Sequence, residues 1–246
     1  AWLCVAGAVP GGTIDPGALV GGLARAAVAA GASLHECAAV CALDHGHPVR
    51  LRTTAGTVAA DHVVVALNAW TTTLLDLPIR LDTALTLAVC TEPLPPDAIA
   101  ALGLADAIPF YTVDLPYLWG RTLHDGRLVL GAGLVGGADG GVSRIALHDT
   151  EAAAALGRLT SRLPGFHPAL AGVAVTHRWG GPIAFPEDRT PLLGRLPDAP
   201  RVIVSGGCAG HGIALGVRAG RLVADAIIDG APLPSWGALP GAPHDT

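Results

Sequence analysis

The chain has no methionine and no lysine, and aromatic residues fill only 4% of its 246 positions. Its cations are arginines that never form a run, so the basic stripe required by a nucleic-acid backbone is missing. Charged residues amount to 14%, with a formal net charge of −5. The longest apolar stretches meet Arg, Asp, Gly or Pro before the roughly 20 residues that a membrane-spanning helix needs, so no span is expected. Residue 1 is Ala, and from this we expect an N-terminus that was removed or never included. No basic-then-apolar leader opens the chain, so nothing marks it for export. Five cysteines, at 4, 37, 41, 90 and 208, are an odd number in a chain too long to need staples. Reduced thiols and a cytoplasmic location are the expectation.

Apolar residues make up 51% of the chain, chiefly Ala, Val and Leu, enough for a real core at this length. The first helix is well signalled. Asp15 caps it, Pro16 fits the first helical position, and Ile14 can staple onto Leu19. Leu19, Leu23, Ala26, Ala27 and Ala30 form its apolar stripe, expected to be buried, and Gly31 ends it. Strands are expected at Ser33 to Glu36, Val40 to Leu43, Val49 to Thr54 and Thr57 to Ala66. Further strands are expected at Tyr117 to Thr122 and Arg127 to Gly131, flanking an Asp125-Gly126 hairpin turn, and at Val173 to Trp179. Glu151 to Leu163 reads as a helix, and the proline-rich tail from Ala231 as a surface extension. His35, Cys37, Cys41, His45 and His47 match none of the usual zinc spacings, and no metal is expected.

The most informative stretch runs from Arg201 to Asp225. The β-branched run Val202 to Val204 stops at Gly206-Gly207-Cys208-Ala209-Gly210-His211-Gly212. A helical pattern follows, with Leu215, Ala219, Leu222, Val223, Ala226 and Ile227 on one face. Such an order aims the free N–H groups of a helix start at whatever lies above the strand end, and glycine lets a flat or anionic group approach. The same glycines would equally serve a tight strand-to-helix turn with no ligand.

Gly-Cys-Ala-Gly-His-Gly-Ile-Ala resembles the Gly-aromatic-Ser-Gly-His-Gly signature of the D-amino-acid-oxidase-like FAD-dependent oxidoreductases, the group of glycine, sarcosine and γ-glutamylputrescine oxidases. Three further stretches resemble that family in the same order: Gly11 to Pro16, Ala60 to Trp70, and Trp179 to Gly194. The resemblance implies an α/β (α+β) fold: an incomplete FAD-binding Rossmann-like domain (1–75 and 190–246, its N-terminal βαβ unit missing) with an inserted antiparallel-sheet substrate domain (76–189). Gly131-Ala132-Gly133-Leu134-Val135-Gly136 matches the dinucleotide pattern in form. The glycines at 137, 140 and 141 would not sustain the helix that a pyrophosphate needs, so it is read as a decoy.

The resemblance further implies oxidation of an amine or amino acid by hydride transfer from the C–N carbon to flavin, giving an imine. Gly207, Gly210, His211, Gly212 and Ile213 would line the pyrimidine edge of the flavin. Val40 would lie near the adenine, and Ala66, Asn68 and Trp70 along the strand facing the cofactor. His211 reads equally as a turn histidine, and Trp70 as a domain-junction core residue. Tyr117, Trp119 and Arg121 alternate on one strand face, either an aromatic wall for a carboxylate-bearing amine or a half-exposed sheet surface. Arg189 is a second carboxylate candidate. The cysteine that some relatives use to attach flavin falls near Gly181 here, so the FAD is expected to be non-covalent. A lysine of those relatives corresponds to Ala214, which leaves an acceptor other than oxygen open. The chain as it stands is expected to be truncated, to bind FAD weakly or not at all without the N-terminal unit, and to be inactive alone. A different class stays open too: a catalytically silent fragment or partner subunit that does not bind FAD by itself. The expected partner is a small-molecule substrate, with no nucleic acid.

Overall fold

A computed structural model describes residues 12–105, 108–112, 118–136 and 149–242. The first helix, α1, spans Pro16–Ala29, and the Asp15 carboxylate accepts the Ala18 N–H at 2.9 Å. Its cap and its proline are where the sequence puts them, but its apolar stripe is not buried. No residue of α1 is buried, and Leu23 and Val28 are each 51% exposed. Amphipathic spacing marks a face that can be covered, and among the described residues nothing covers this one.

Ser33 to Glu36 forms no strand; the chain reaches extended pairing only at β1 (Val40–Asp44). A three-stranded antiparallel meander follows, with β2 (Val49–Thr53) between β1 and β3 (Gly56–Ala60). The single strand expected over Thr57 to Ala66 is two. It breaks at Asp61-His62, and β4 (Val63–Val65) leaves the meander for another sheet. The chain continues through α2 (Thr71–Leu74), β5 (Leu81–Pro93), α3 (Pro96–Ala101), β6 (Phe110–Tyr111), β7 (Leu118–Thr122) and β8 (Arg127–Gly136). Last come α4 (Thr150–Phe166), β9 (Val175–Pro186), β10 (Leu192–Leu196), β11 (Ala199–Gly206) and α5 (Gly212–Ile228).

Two compact units divide these elements. The first comprises 1–34, 88–132 and 158–178, and the second 35–87, 133–157 and 179–246. In the first, β6, β7 and β8 are antiparallel neighbours in a five-stranded sheet that continues to β5 and β9. The Asp125-Gly126 turn joins β7 to β8 as the sequence signals, with Gly126 at φ 83°. Leu118, Leu128, Leu130, Leu163 and Leu170 of this unit are all buried.

In the second unit, β11 lies between β10, antiparallel to it, and β4, parallel to it in the register Val202↔Val63 to Val204↔Val65. Side chains alternate across this sheet as strand geometry demands. Val63, Val65, Val202 and Val204 enter one core with Ala69, Leu75, Ala184 and Leu192. On the other face Ile203 and Leu193 pack with Val223 of α5. The tail is not the surface extension expected from its prolines. Leu239 is 2% exposed, and a Cβ on Gly237 would lie 2.8 Å from the Leu193 backbone nitrogen. Proline limits the tail to one 3-10 turn, Ser235–Gly237, but leaves its apolar residues free to pack along β10.

Candidate functional site

Parallel pairing makes β4 and β11 end side by side, and the carboxyl ends of neighbouring parallel strands are where open α/β sheets hold ligands. β11 leaves through Gly206-Gly207, and β4 leaves through Ala66-Leu67 into Asn68. The two exits nearly touch: a Cβ on Gly206 would sit 3.2 Å from the Asn68 Cα. Asn68 is left-handed at φ 47°, and its carbonyl accepts the hydroxyl of the fully buried Thr71 at 2.8 Å.

The loop between β11 and α5 is built from left-handed residues. Gly207, Ala209 and Gly210 have φ values of 59°, 48° and 92°. Glycine at 207 is required twice over, by its φ and because a Cβ would meet the Pro186 Cγ at 2.7 Å. The Ala209 N–H donates to the Ala184 carbonyl at 3.0 Å, so the loop is braced on the end of β9. The His211 N–H donates to the Cys208 carbonyl at 2.8 Å, after which α5 begins at Gly212 with no side-chain cap. Its first-turn N–H groups and the positive end of its dipole are therefore open to a ligand. Burial pushes the Cys208 thiol above its ordinary pKa, so the loop carries no thiolate to compete with an incoming negative charge.

The expected cofactor residues are gathered in part. Asn68 meets the loop directly, and Gly207, Gly210, His211, Gly212 and Ile213 form it and the helix start. Ala66 sits at the exit of β4. Trp70 closes the 3-10 turn Asn68–Trp70 and is 48% exposed. Val40 opens β1, in a different sheet from β4 and β11.

Arg189 follows the end of β9 with a left-handed φ of 63°, its N–H donating to the Pro186 carbonyl at 2.9 Å. The Asp188 side chain accepts the Thr190 N–H at 2.9 Å and tightens this turn. The Arg189 guanidinium lies over the Phe185 ring, 4.6 Å from its centroid. A guanidinium held over a ring face in this way still has N–H donors for a carboxylate. The sequence offered no sign of Phe185 or Pro186 in these roles, because both act on residues that only the fold brings to them.

In the first unit, Trp119 and Arg121 share the half-buried face of β7, whereas Leu118, Gly120 and Thr122 point into the core. Tyr117 lies outside the described residues. Trp119 stands opposite Gly131 of β8 and Tyr111 of β6, the latter 65% exposed and not singled out from the sequence. The Gly131–Gly136 stretch is part of β8, not a strand-to-helix turn, which agrees with its reading as a decoy. Gly131 has a packing reason: a Cβ there would run into the Trp119 indole. Gly131→Ala is expected to destabilise by about 1–3 kcal/mol, as overpacking does, and adding Trp119→Ala is expected to recover most of that loss. A urea-unfolding double-mutant cycle measures both; additive penalties would contradict the contact.

A parallel strand pair ending beneath a glycine-rich helix start, in a mixed helix–sheet chain, is the arrangement of an α/β nucleotide-binding fold. The chain belongs to the family of FAD-dependent oxidoreductases termed DAO, whose description matches residues 3–226. It is 32% identical over 221 residues to the γ-glutamylputrescine oxidoreductase of Escherichia coli, covering 87% of this chain and 48% of that protein. To the probable oxidoreductase OrdL of Rhizobium meliloti it is 29% identical over 221 residues, covering 87% and 47%. Its fold matches glycine oxidase from Geobacillus kaustophilus with a TM-score of 0.73 at 24% identity, over 90% of this chain and 56% of that one. NikD, an unusual amino acid oxidase, also matches at 0.73, with 20% identity over 95% and 62%. The chain thus spans about half the length of the curated relatives it matches. Among the described residues, no helix is long and apolar enough to cross a membrane.

Proposed function

We propose that this chain serves the FAD-dependent oxidation of an amine or amino acid, with the 206–212 loop as the seat of the flavin's pyrimidine edge. The observation that carries the reading is the meeting of the β4 and β11 exits beneath the uncapped start of α5. The residues suit a non-covalent flavin. Three left-handed positions keep side chains out of the approach, and nothing lies within 4 Å of where a Gly210 Cβ would be. FAD, when bound, supplies the acceptor for the hydride that leaves the substrate's C–N carbon, and the substrate departs as an imine.

Within this reading Gly207, Gly210, His211, Gly212 and Ile213 line the ring edge. Their backbone N–H groups and the α5 dipole stabilise negative charge on it. Ala66, Asn68 and Trp70 border the strand exit, and Val40 contributes near the adenine. Arg189, pre-set on Phe185, is one candidate for the substrate's carboxylate, and Trp119 with Arg121, together with the sequence candidate Tyr117, is another; each is taken within its own unit. The division into a flavin part (1–75, 190–246) and a substrate part (76–189) belongs to the same proposal.

A second reading is favoured by the span of the match, about half of each curated relative. In it the chain binds FAD only together with another lobe or partner chain. Titrating the 246-residue chain with FAD, following flavin fluorescence, separates the two. Saturable binding, followed by anaerobic bleaching of the flavin band by an amine or amino acid, would favour the first reading. Binding with no bleaching across an amine panel would overturn the oxidase reading, and no binding at all would move the assignment to the second.

A further inference from the structure

We infer that Asn68 is a positioning residue: its side chain holds the Cys208 N–H and so decides which backbone donors of the 206–212 loop remain for a ligand. The inference rests on reading that loop as a flavin seat, but its structural half stands alone.

The Asn68 Oδ1 accepts the Cys208 N–H at 3.4 Å, a long and therefore yielding bond between residues 140 positions apart. It is one of three successive ties. Cys208 N–H goes to Asn68, Ala209 N–H to the Ala184 carbonyl, and His211 N–H to the Cys208 carbonyl. Among the described residues the N–H groups of Gly210, Gly212 and Ile213 have no acceptor, and these are the loop's unspent donors. Remove the first tie and the Cys208 N–H is released, so the loop has a competing donor and a freer hinge.

The residue type fits this task. At φ 47° the position disfavours most side chains, and asparagine and glycine tolerate it best. Glycine would meet the backbone requirement but has no acceptor. Aspartate keeps an acceptor. The near contact of Gly206 with the Asn68 Cα, and the Thr71 hydroxyl on the Asn68 carbonyl, fix the backbone from which the amide reaches across. Asn68 therefore acts through the loop, and its effect on a cofactor is indirect.

The test is hydrogen exchange at the Cys208 amide in the unliganded chain, paired with FAD titration, for wild type, Asn68→Gly and Asn68→Asp. Asn68→Gly suits the left-handed backbone, so loss of the latch is separated from strain, and matching melting curves check that the fold is kept. The expected result is exchange roughly three- to tenfold faster in Asn68→Gly, the equivalent of one net hydrogen bond, with FAD affinity falling by a similar factor. Asn68→Asp is expected to keep the protection at neutral pH, where its carboxylate accepts. Exchange in Asn68→Gly within twofold of wild type overturns the latch. Faster exchange with unchanged FAD affinity overturns the positioning role. Faster exchange in a chain that binds no FAD in any variant keeps the latch and overturns instead the reading that this chain seats flavin by itself.

Discussion

Gly207→Val is expected to abolish FAD binding and to cost about 1–3 kcal/mol of stability through overpacking alone. Two penalties coincide at this position. A φ of 59° is left-handed, and a β-branched residue adopts it least readily of all. The added Cβ would also lie 2.7 Å from the Pro186 Cγ, 3.1 Å from its Cδ and 3.3 Å from the Leu192 Cγ. Pro186 and Leu192 are buried, and a proline ring has no rotamer to swing aside, so the loop must move instead. Moving it breaks the brace of Ala209 on Ala184 and tilts the start of α5. Gly210→Ala is the control. Its φ of 92° strains alanine too, but no heavy atom lies within 4 Å of the added Cβ. Urea unfolding and FAD titration of both variants measure the contrast. A Gly207→Val chain that binds FAD as tightly as wild type would show that this loop does not seat the cofactor.

Ile203→Ala carries the largest expected loss of stability, about 2–5 kcal/mol, the range for emptying a fully buried aliphatic site. Ile203 is 0% exposed at the centre of β11, between Leu193 of β10 and Val223 of α5. It is the contact through which the middle strand holds the helix that follows the loop. Deleting three heavy atoms there leaves a void that β10 and β4, both paired to β11, prevent from closing. Ile203→Val, which removes one methyl group, is expected to cost only about 0.5–1.5 kcal/mol. Chemical denaturation of the pair checks the gradient. An alanine variant within 1 kcal/mol of wild type would mean that α5 is anchored elsewhere.

Legibility differed from element to element for physical reasons. Asp15 and Pro16 predicted the start of α1 to the residue, because capping is chemistry within one turn. The alternation of Trp119 and Arg121 predicted their shared face, because strand period is local. Burial of the α1 stripe was not legible: spacing shows which residues can share a partner and is silent on whether one is present. The run from Thr57 to Ala66 looked continuous, since each half has strand propensity. The break at Asp61-His62 follows from two different pairing partners, β2 for one half and β11 for the other. Phe185 under Arg189 and Pro186 behind Gly207 left no mark in the pattern of their neighbours.

The amino-acid order alone determined the start of α1, the β7–β8 turn, the glycine-rich strand-to-helix turn before α5, and, through four ordered motifs, the flavoenzyme family. The tertiary structure alone decided that β4 lies parallel to β11, that Asn68 reaches Cys208 across 140 positions, and that the tail seals β10. Propensity, capping and turn chemistry act over a few residues and are written wherever those residues occur. Strand partnership between distant segments is chosen by the shared core of Val63, Val65, Val202 and Val204, a property of none of them separately.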